Sequence, residues 1–315
     1  MSGQNTLILA NDYNVIQSKI ALLMGSGSGT TGYGQSLASS QVGQSDKITV
    51  SQWNNLRNDI VRCRQHQTGT TIGSLAPEDV GYVSGTNLPI PTTSKQVKET
   101  WRSAYLAMAT DCETNKLTAP PPSSEATRAD LVAQQIRTTQ WNGRITQTVV
   151  VTFPTSDDAR YFFNSGGQIE FSADRSGGSA GLKNVTWTTM LTNMGTIKMN
   201  YDATVCSGTG FPSSIGWYDL TDSDNLIFEK DAPSGAYAPN KYFIYARVNS
   251  TLDRRIAYFT IWFADDSAAP PSYPDPGFGI DENVDGTLVS TVQVYRASGS
   301  NVSRPVPPAS TTPIA

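Results

Sequence analysis

The chain has 315 residues, 38% hydrophobic and only 16% charged, and its 23 basic and 27 acidic side chains leave a net charge of −4. That length gives room for about two domains and a real core, which excludes a miniprotein dependent on disulfide or metal staples. No basic cluster is present to follow a phosphate backbone, so nucleic acid is not an expected partner.

Two stretches near the start align at an offset of forty residues: ILANDYNVIQSKI at 8–20 and ITVSQWNNLRNDI at 48–60. Ile8 matches Ile48, Tyr13 matches Trp53, Asn14 matches Asn54, Ile16 matches Leu56 and Ile20 matches Ile60. Asn11 and Ser51 stand where helix N-caps belong, with aromatic and aliphatic positions following at helical spacing. The pattern predicts a duplicated helical unit in which Tyr13 and Trp53 occupy equivalent, buried places. Two copies are too few for a solenoid, so the pair must pack on each other or across a subunit interface.

Between them lies GSGSGTTGYG at 25–34. A phosphate loop needs a lysine and a hydroxyl at fixed spacing after a strand, whereas this run has no lysine and follows a helical pattern. It reads as a helix stop at Gly25 and a flexible arm that orders on neighbouring chains.

Further on, SKQVKETWRSAYLAMAT at 94–110 predicts a third helix capped by Ser94, with Val97, Trp101, Tyr105 and Met108 as its packing stripe. The prolines of APPPSS at 119–124 break regular structure, and a short helix is expected over 125–137. From Ile145 the apolar period becomes two. ITQTVVVTF, GQIEFSA, TIKMNYDA, IGWYDL, NLIFEKD, KYFIYARVNS, RRIAYFTIWFAD and LVSTVQVYRA read as short antiparallel strands separated by turn residues. KNVTWTTMLTNMG at 183–195 reads as a helix crossing the sheet and stopped by Gly195, and SRPVPPASTTPIA as an extended tail.

The expected fold class is therefore α+β: a helical N-terminal assembly region (1–118), a proline-rich linker with a short helix (119–144), an antiparallel β-sandwich-like domain (145–298) and an extended tail (299–315). In the sandwich, KYFIYARVNS and IAYFTIWFAD form a hairpin through STLDRR. The second strand is largely apolar on both faces, so both need cover, and Phe259 and Trp262 are expected to be buried in a core or a subunit interface.

Candidate chemistry is sparse. His66, the single histidine, lies at the end of a helical segment, where interaction with the last carbonyls accounts for it. Asp281, Asn283, Asp285 and Gly286 match the first half of a calcium loop, yet position twelve is Val292 rather than the bidentate glutamate, and a plain Asp-Gly turn fits as well. Asp157 with Asp158 and Asp265 with Asp266 border turn-like sequence and read as solvated loops. Cys63, Cys112 and Cys206 form neither a disulfide framework nor a metal knuckle, which suits a reducing cytoplasm. No signal peptide or bilayer-length apolar run is read, and neither a cofactor nor membrane insertion is expected. Trp187, Trp217 and Trp262 remain candidates for stacking on a host-surface glycan.

The segment FPTSDDARYFFNSGGQIEFSADRSGG at 153–178, with YNVIQSKIALLMGSGSGTTGYGQ and VSQWNNLRNDIVRCRQHQTG, resembles virion structural proteins of contractile-tailed bacteriophages, particularly those of cyanobacteria. The resemblance spans most of the chain and carries no catalytic signature. It implies a virion protein of the tail, neck, baseplate or fibre apparatus, assembled in the host cytoplasm. Its partners would be copies of itself, as a trimer or higher ring, and other phage virion proteins.

Overall fold

The computed structural model describes residues 8–75, 86–93, 97–117, 128–267 and 283–315. Two units result. The first takes Met1–Arg128, Arg160–Gly167 and Arg296–Pro305, and the second takes Ala129–Ala159, Gln168–Tyr295 and Val306–Ala315. The division is interleaved rather than a run of consecutive blocks, because two distant stretches return to the first unit to bind its glycine-rich loop.

The first unit is built from α1 (Ala10–Met24), α2 (Val50–Thr68), a parallel pair of short strands β1 (Gly73–Leu75) and β2 (Asn87–Pro89), and α3 (Glu99–Thr114). The windows aligned at an offset of forty are both helical, and Tyr13 and Trp53 are both buried. Their rings meet edge to face at 5.2 Å, and Trp53 meets Tyr105 of α3 the same way at 5.3 Å. Ile16, Ile20, Leu23, Leu56, Ile60 and Met108 complete the core. The caps fall two residues earlier than Asn11 and Ser51: Leu9 and Thr49 lead their helices. The residue three places on reaches back in each case, Asp12 Oδ2 accepting from Leu9 N at 2.9 Å and Gln52 Oε1 from Thr49 N at 2.7 Å. The third helix starts at Glu99, and Ser94 lies outside the described residues.

The connection from Gly25 to Thr49 is irregular, as its composition suggests, but it is not a free arm. Tyr33 is buried, and its hydroxyl donates to Lys116 O at 2.5 Å while accepting from Gln67 at 3.0 Å. Asp59 of α2 accepts from the backbone of Ala38 and Ser39, and Asn14 of α1 exchanges two 2.9 Å bonds with Val42. Buried acceptors and donors on its own helices hold the segment.

The second unit begins with β3 (Arg128–Arg137) and β4 (Gly143–Thr152), and α4 (Ser156–Asn164) crosses the unit boundary. Next come β5 (Gln168–Ser176), α5 (Leu182–Met194), β6 (Ile197–Met199), β7 (Thr204–Cys206), β8 (Phe211–Pro212) and a 3-10 turn (Trp217–Asp219). The series ends with β9 (Asn225–Asp231), β10 (Lys241–Val248), β11 (Ile256–Asp265), β12 (Thr287–Arg296) and β13 (Ala309–Thr311). One sheet has the order β13-β4-β11-β10-β9-β8 and the other β3-β12-β5-β6-β7. The pairs along the first are antiparallel, as are β12–β5–β6–β7 in the second. The chain is thus of mixed α+β class.

Three sequence expectations change here. The described part of the helix expected over 125–137, residues 128–137, is β3, the strand expected at IGWYDL is the 3-10 turn, and the tail contributes β13. The crossing helix stands as α5, ended by Gly195 at φ 63. It buries Trp187, Met190, Leu191 and Met194. Phe171 of β5 lies edge to face with Phe259 of β11 at 5.1 Å, and Trp187 is 6.3 Å from Phe263.

Candidate functional site

The period of two on β10 and β11 sorts their residues sharply. Tyr242, Ile244, Ala246 and Val248, with Ala257, Phe259, Ile261 and Phe263, are buried on one face. Phe243, Tyr245 and Arg247, with Ile256, Tyr258, Thr260 and Trp262, are half-buried on the other. The register sets Phe243 opposite Trp262, Tyr245 opposite Thr260 and Arg247 opposite Tyr258. Phe259 and Trp262 therefore lie on opposite faces. Phe259 is a core residue, whereas Trp262 is half-buried within the single chain, on the face that the sequence left to a subunit interface.

That outer face is an aromatic cluster. Tyr245 and Trp262 rings are 4.9 Å apart, and Phe243 lies 6.1 Å from Tyr245 and 6.3 Å from Trp262. Cations rim it: Arg144 of β4 sits 4.5 Å over Trp262, Arg247 sits 4.0 Å over Tyr258, and Lys241 lies 5.9 Å from Phe243. Each cation also meets a carboxylate, Arg144 with Asp266 at 3.3 Å, Arg247 with Asp224 at 3.4 Å, and Lys241 with Glu229 at 2.5 Å and Asp231 at 2.9 Å. The hydrogen bonds to Glu229 and Asp231 hold the Lys241 ammonium above its usual range. Thr146 and Thr148 of β4 extend the face, opposite Trp262 and Thr260. The result is an apolar centre with a rim of three cations and four carboxylates.

The other sequence candidates lie elsewhere. Trp187 and Trp217 are buried, with 0% and 2% exposure, which removes them as sugar-stacking platforms; of the six tryptophans only Trp262 is not buried. His66 is also buried, and its Nε2–H donates to Ser165 O at 2.9 Å. Asp281 lies outside the described residues. Asp285 is a brace: it accepts from Arg175 at 3.2 Å, from Ser179 N at 3.1 Å and from the Asn184 amide, whose oxygen accepts from Asp285 N at 3.1 Å. Burial works against its charge, yet the Ser179, Asn184 and Arg175 partners outweigh that and hold the carboxyl below the usual range. Asn283 stands two residues before it, at the edge of the described chain. Among the described residues no three carboxylate, imidazole or thiol side chains converge as a metal would require.

The adjacent carboxylates are also reassigned. Asp157 and Asp158 open α4, where Thr155 Oγ1 accepts from Asp158 N at 3.0 Å, so they complement a helix N-terminus. Asp265 is buried and accepts from Lys183 Nζ at 2.5 Å and from Ser267 Oγ at 3.0 Å, while exposed Asp266 belongs to the aromatic rim.

The glycine-rich run answers its own question by polarity. Its carbonyls face cationic and amide side chains, while the Ser28 amide is turned inward on Thr31 Oγ1 of the run itself: Arg160 donates to Ser26 O at 2.6 Å and to Thr31 O, Asn164 to Gly29 O at 3.1 Å and to Gly32 O at 3.3 Å, and Arg304 to Gly34 O at 3.1 Å. Gly34 has φ 63, and a Cβ there would lie 2.4 Å from the Tyr161 ring. A loop that offers acceptors to cations is the reverse of a phosphate cradle.

Sequence reasoning found the aromatic strands but missed Arg144, Arg247 and Asp224 as their partners, and read Asp266 only as part of a solvated loop. Their only sequence signal is their place beside aromatic positions at period two, and it becomes readable once the register of β4 on β11 is known. No protein-family model, curated protein or solved structure matches this chain.

Proposed function

We propose that the chain is a non-enzymatic structural subunit of a tailed-phage virion, placed in its tail, neck, baseplate or fibre apparatus and assembled in the host cytoplasm. It forms a homo-oligomer, a trimer or higher ring, and joins other virion proteins. The two sheets act as a β-sandwich and α1 with α2 as a duplicated helical unit. The observation that carries this reading is the outer face of β10 and β11. Four half-buried aromatic side chains with arginines across them and a mixed-sign rim have the composition of a protein interface, in which aromatic and arginine anchors dominate and a polar rim excludes water. The resemblance of residues 153–178 to virion proteins and the low charge of the chain point the same way. An electron-microscopy map of the particle tests it: density for this chain in a repeated ring or fibre supports the reading, and its absence from purified particles refutes it.

One observation favours a second reading, in which the same face holds a host-surface glycan: Trp262 is the one tryptophan left half-exposed, beside the threonines of β4. Arg144 already lies over its ring, which weighs against sugar stacking there. A glycan array separates the two, since specific binding abolished by Trp262→Ala would favour the glycan.

A further inference from the structure

The edge of β4 that faces away from β11 is occupied by a later part of the chain. Ala309, Ser310 and Thr311 pair with Val151, Val150 and Val149. The pairing runs on at both ends: Thr152 N donates to Pro308 O at 2.9 Å, Thr312 N to Thr148 O at 2.9 Å, and Thr146 and Ala315 exchange bonds of 2.8 and 3.1 Å. Gln147 adds a bond to Thr311 Oγ1 at 2.9 Å, and Arg137 one to Ile314 O at 2.8 Å. Ile314 is the large apolar side chain that the segment buries.

The attachment is a main-chain ladder reinforced by side-chain bonds of Arg137, Gln147 and Thr312. The buried side chains Val149, Val151, Phe259 and Phe263 of β4 and β11 lie on the inner face of the sheet, whereas the segment attaches along the β4 edge. Left bare, a ten-residue strand carrying three successive valines is an exposed edge of the kind that seeks another strand. The segment reaches the edge through Arg304–Pro308, where Pro305, Pro307 and Pro308 lack N–H groups and favour a stiff, extended path. The chain changes unit within that connector, between Pro305 and Val306.

We propose that the β4 edge is a strand-acceptor groove and that, in the assembled protein, residues 308–315 of a second copy occupy it. An identical segment makes identical bonds, so exchange conserves the hydrogen bonding and links copies at the cost of association alone. The inference rests on the homo-oligomer proposed above but uses the main-chain edge of β4 rather than the aromatic side chains of β10 and β11.

The test places cysteines at the opposed outward positions, Ser310→Cys with Val150→Cys, in a full chain whose Cys206 is replaced by serine. The oligomer is oxidised mildly and read on a non-reducing gel, with its mass measured in parallel. Covalent multiples of the 33.9 kDa chain are expected. A crosslink confined to single chains within an intact oligomer overturns the exchange while leaving self-association standing, and no crosslink of either kind overturns the register as well. A monomeric mass refutes the homo-oligomer reading itself. A second variant lacking residues 309–315 should bind a labelled peptide of residues 306–315 at least tenfold more tightly than the full chain does, and equal binding would overturn the groove.

Discussion

Replacing Phe259 by alanine isolates the core role of β11 from its surface role. Phe259 has 0% exposure and its ring lies 5.1 Å from Phe171 of the opposite sheet. Removing a buried aromatic ring forfeits its transfer free energy and leaves a cavity, which together cost about 3–5 kcal/mol. The lost edge contact with Phe171 is included in that figure and accounts for about 1 kcal/mol. For a unit of this size the change corresponds to a fall in melting temperature on the order of 10 °C. Trp262→Ala, three residues along β11 on the half-buried face, loses a ring under Arg144 and should cost about 1 kcal/mol in the isolated subunit. Urea unfolding of the two variants, followed by far-ultraviolet circular dichroism at a concentration where both are monomeric, gives the comparison. Equal destabilisation by the two, or a silent Phe259→Ala, would refute the assignment of the two faces.

Three further outcomes follow from the same geometry. Lys183→Met should destabilise by about 3–5 kcal/mol because it leaves Asp265 charged and buried, and the double variant with Asp265→Leu should recover most of the loss in chemical denaturation. The carboxyl of Asp285 is lowered in the folded state, so its contribution is present above the unfolded value of about 4 and is lost as pH falls through the folded value; the gap in urea midpoint between wild type and Asp285→Asn should be widest near neutrality and close below about pH 4. Gly34→Ala should cost about 2 kcal/mol or more in thermal unfolding, from a left-handed backbone and a methyl pressed on Tyr161.

What could be read from residues alone was local. The helices that became α1 and α2 were visible because their aromatic and aliphatic positions repeat at helical spacing, and β10 and β11 because their burial alternates. Asp157 and Asp158 were read as bordering a solvated loop, and α4 was not foreseen; the better signal was Thr155, a cap residue placed before Ala159, Phe162 and Phe163. The helix formers of RADLVAQQIR concealed β3, whose place is set by pairing in the sheet rather than by propensity. The candidate site was half visible. Phe243, Tyr245, Tyr258 and Trp262 announce themselves by type and spacing, but their cations and carboxylates come from β4, β9 and the ends of strands. Only the long-range register, Trp262 opposite Thr146 and Phe243 opposite Glu229, brings them together. Arg160, Asn164 and Arg304 around the glycine-rich loop are equally distant in sequence, so a segment whose composition signals flexibility is held by partners that composition cannot reveal.

The central claim is that the outer face of β10 and β11 joins copies of this subunit. Sedimentation equilibrium of the wild-type chain and of the double variant Tyr245→Ser with Trp262→Ser tests it most directly. The wild type should sediment as a multiple of 33.9 kDa, and the double variant as a monomer that keeps the wild-type circular dichroism spectrum. A wild-type chain that stays monomeric at every concentration, or a double variant that assembles as the wild type does, would contradict it.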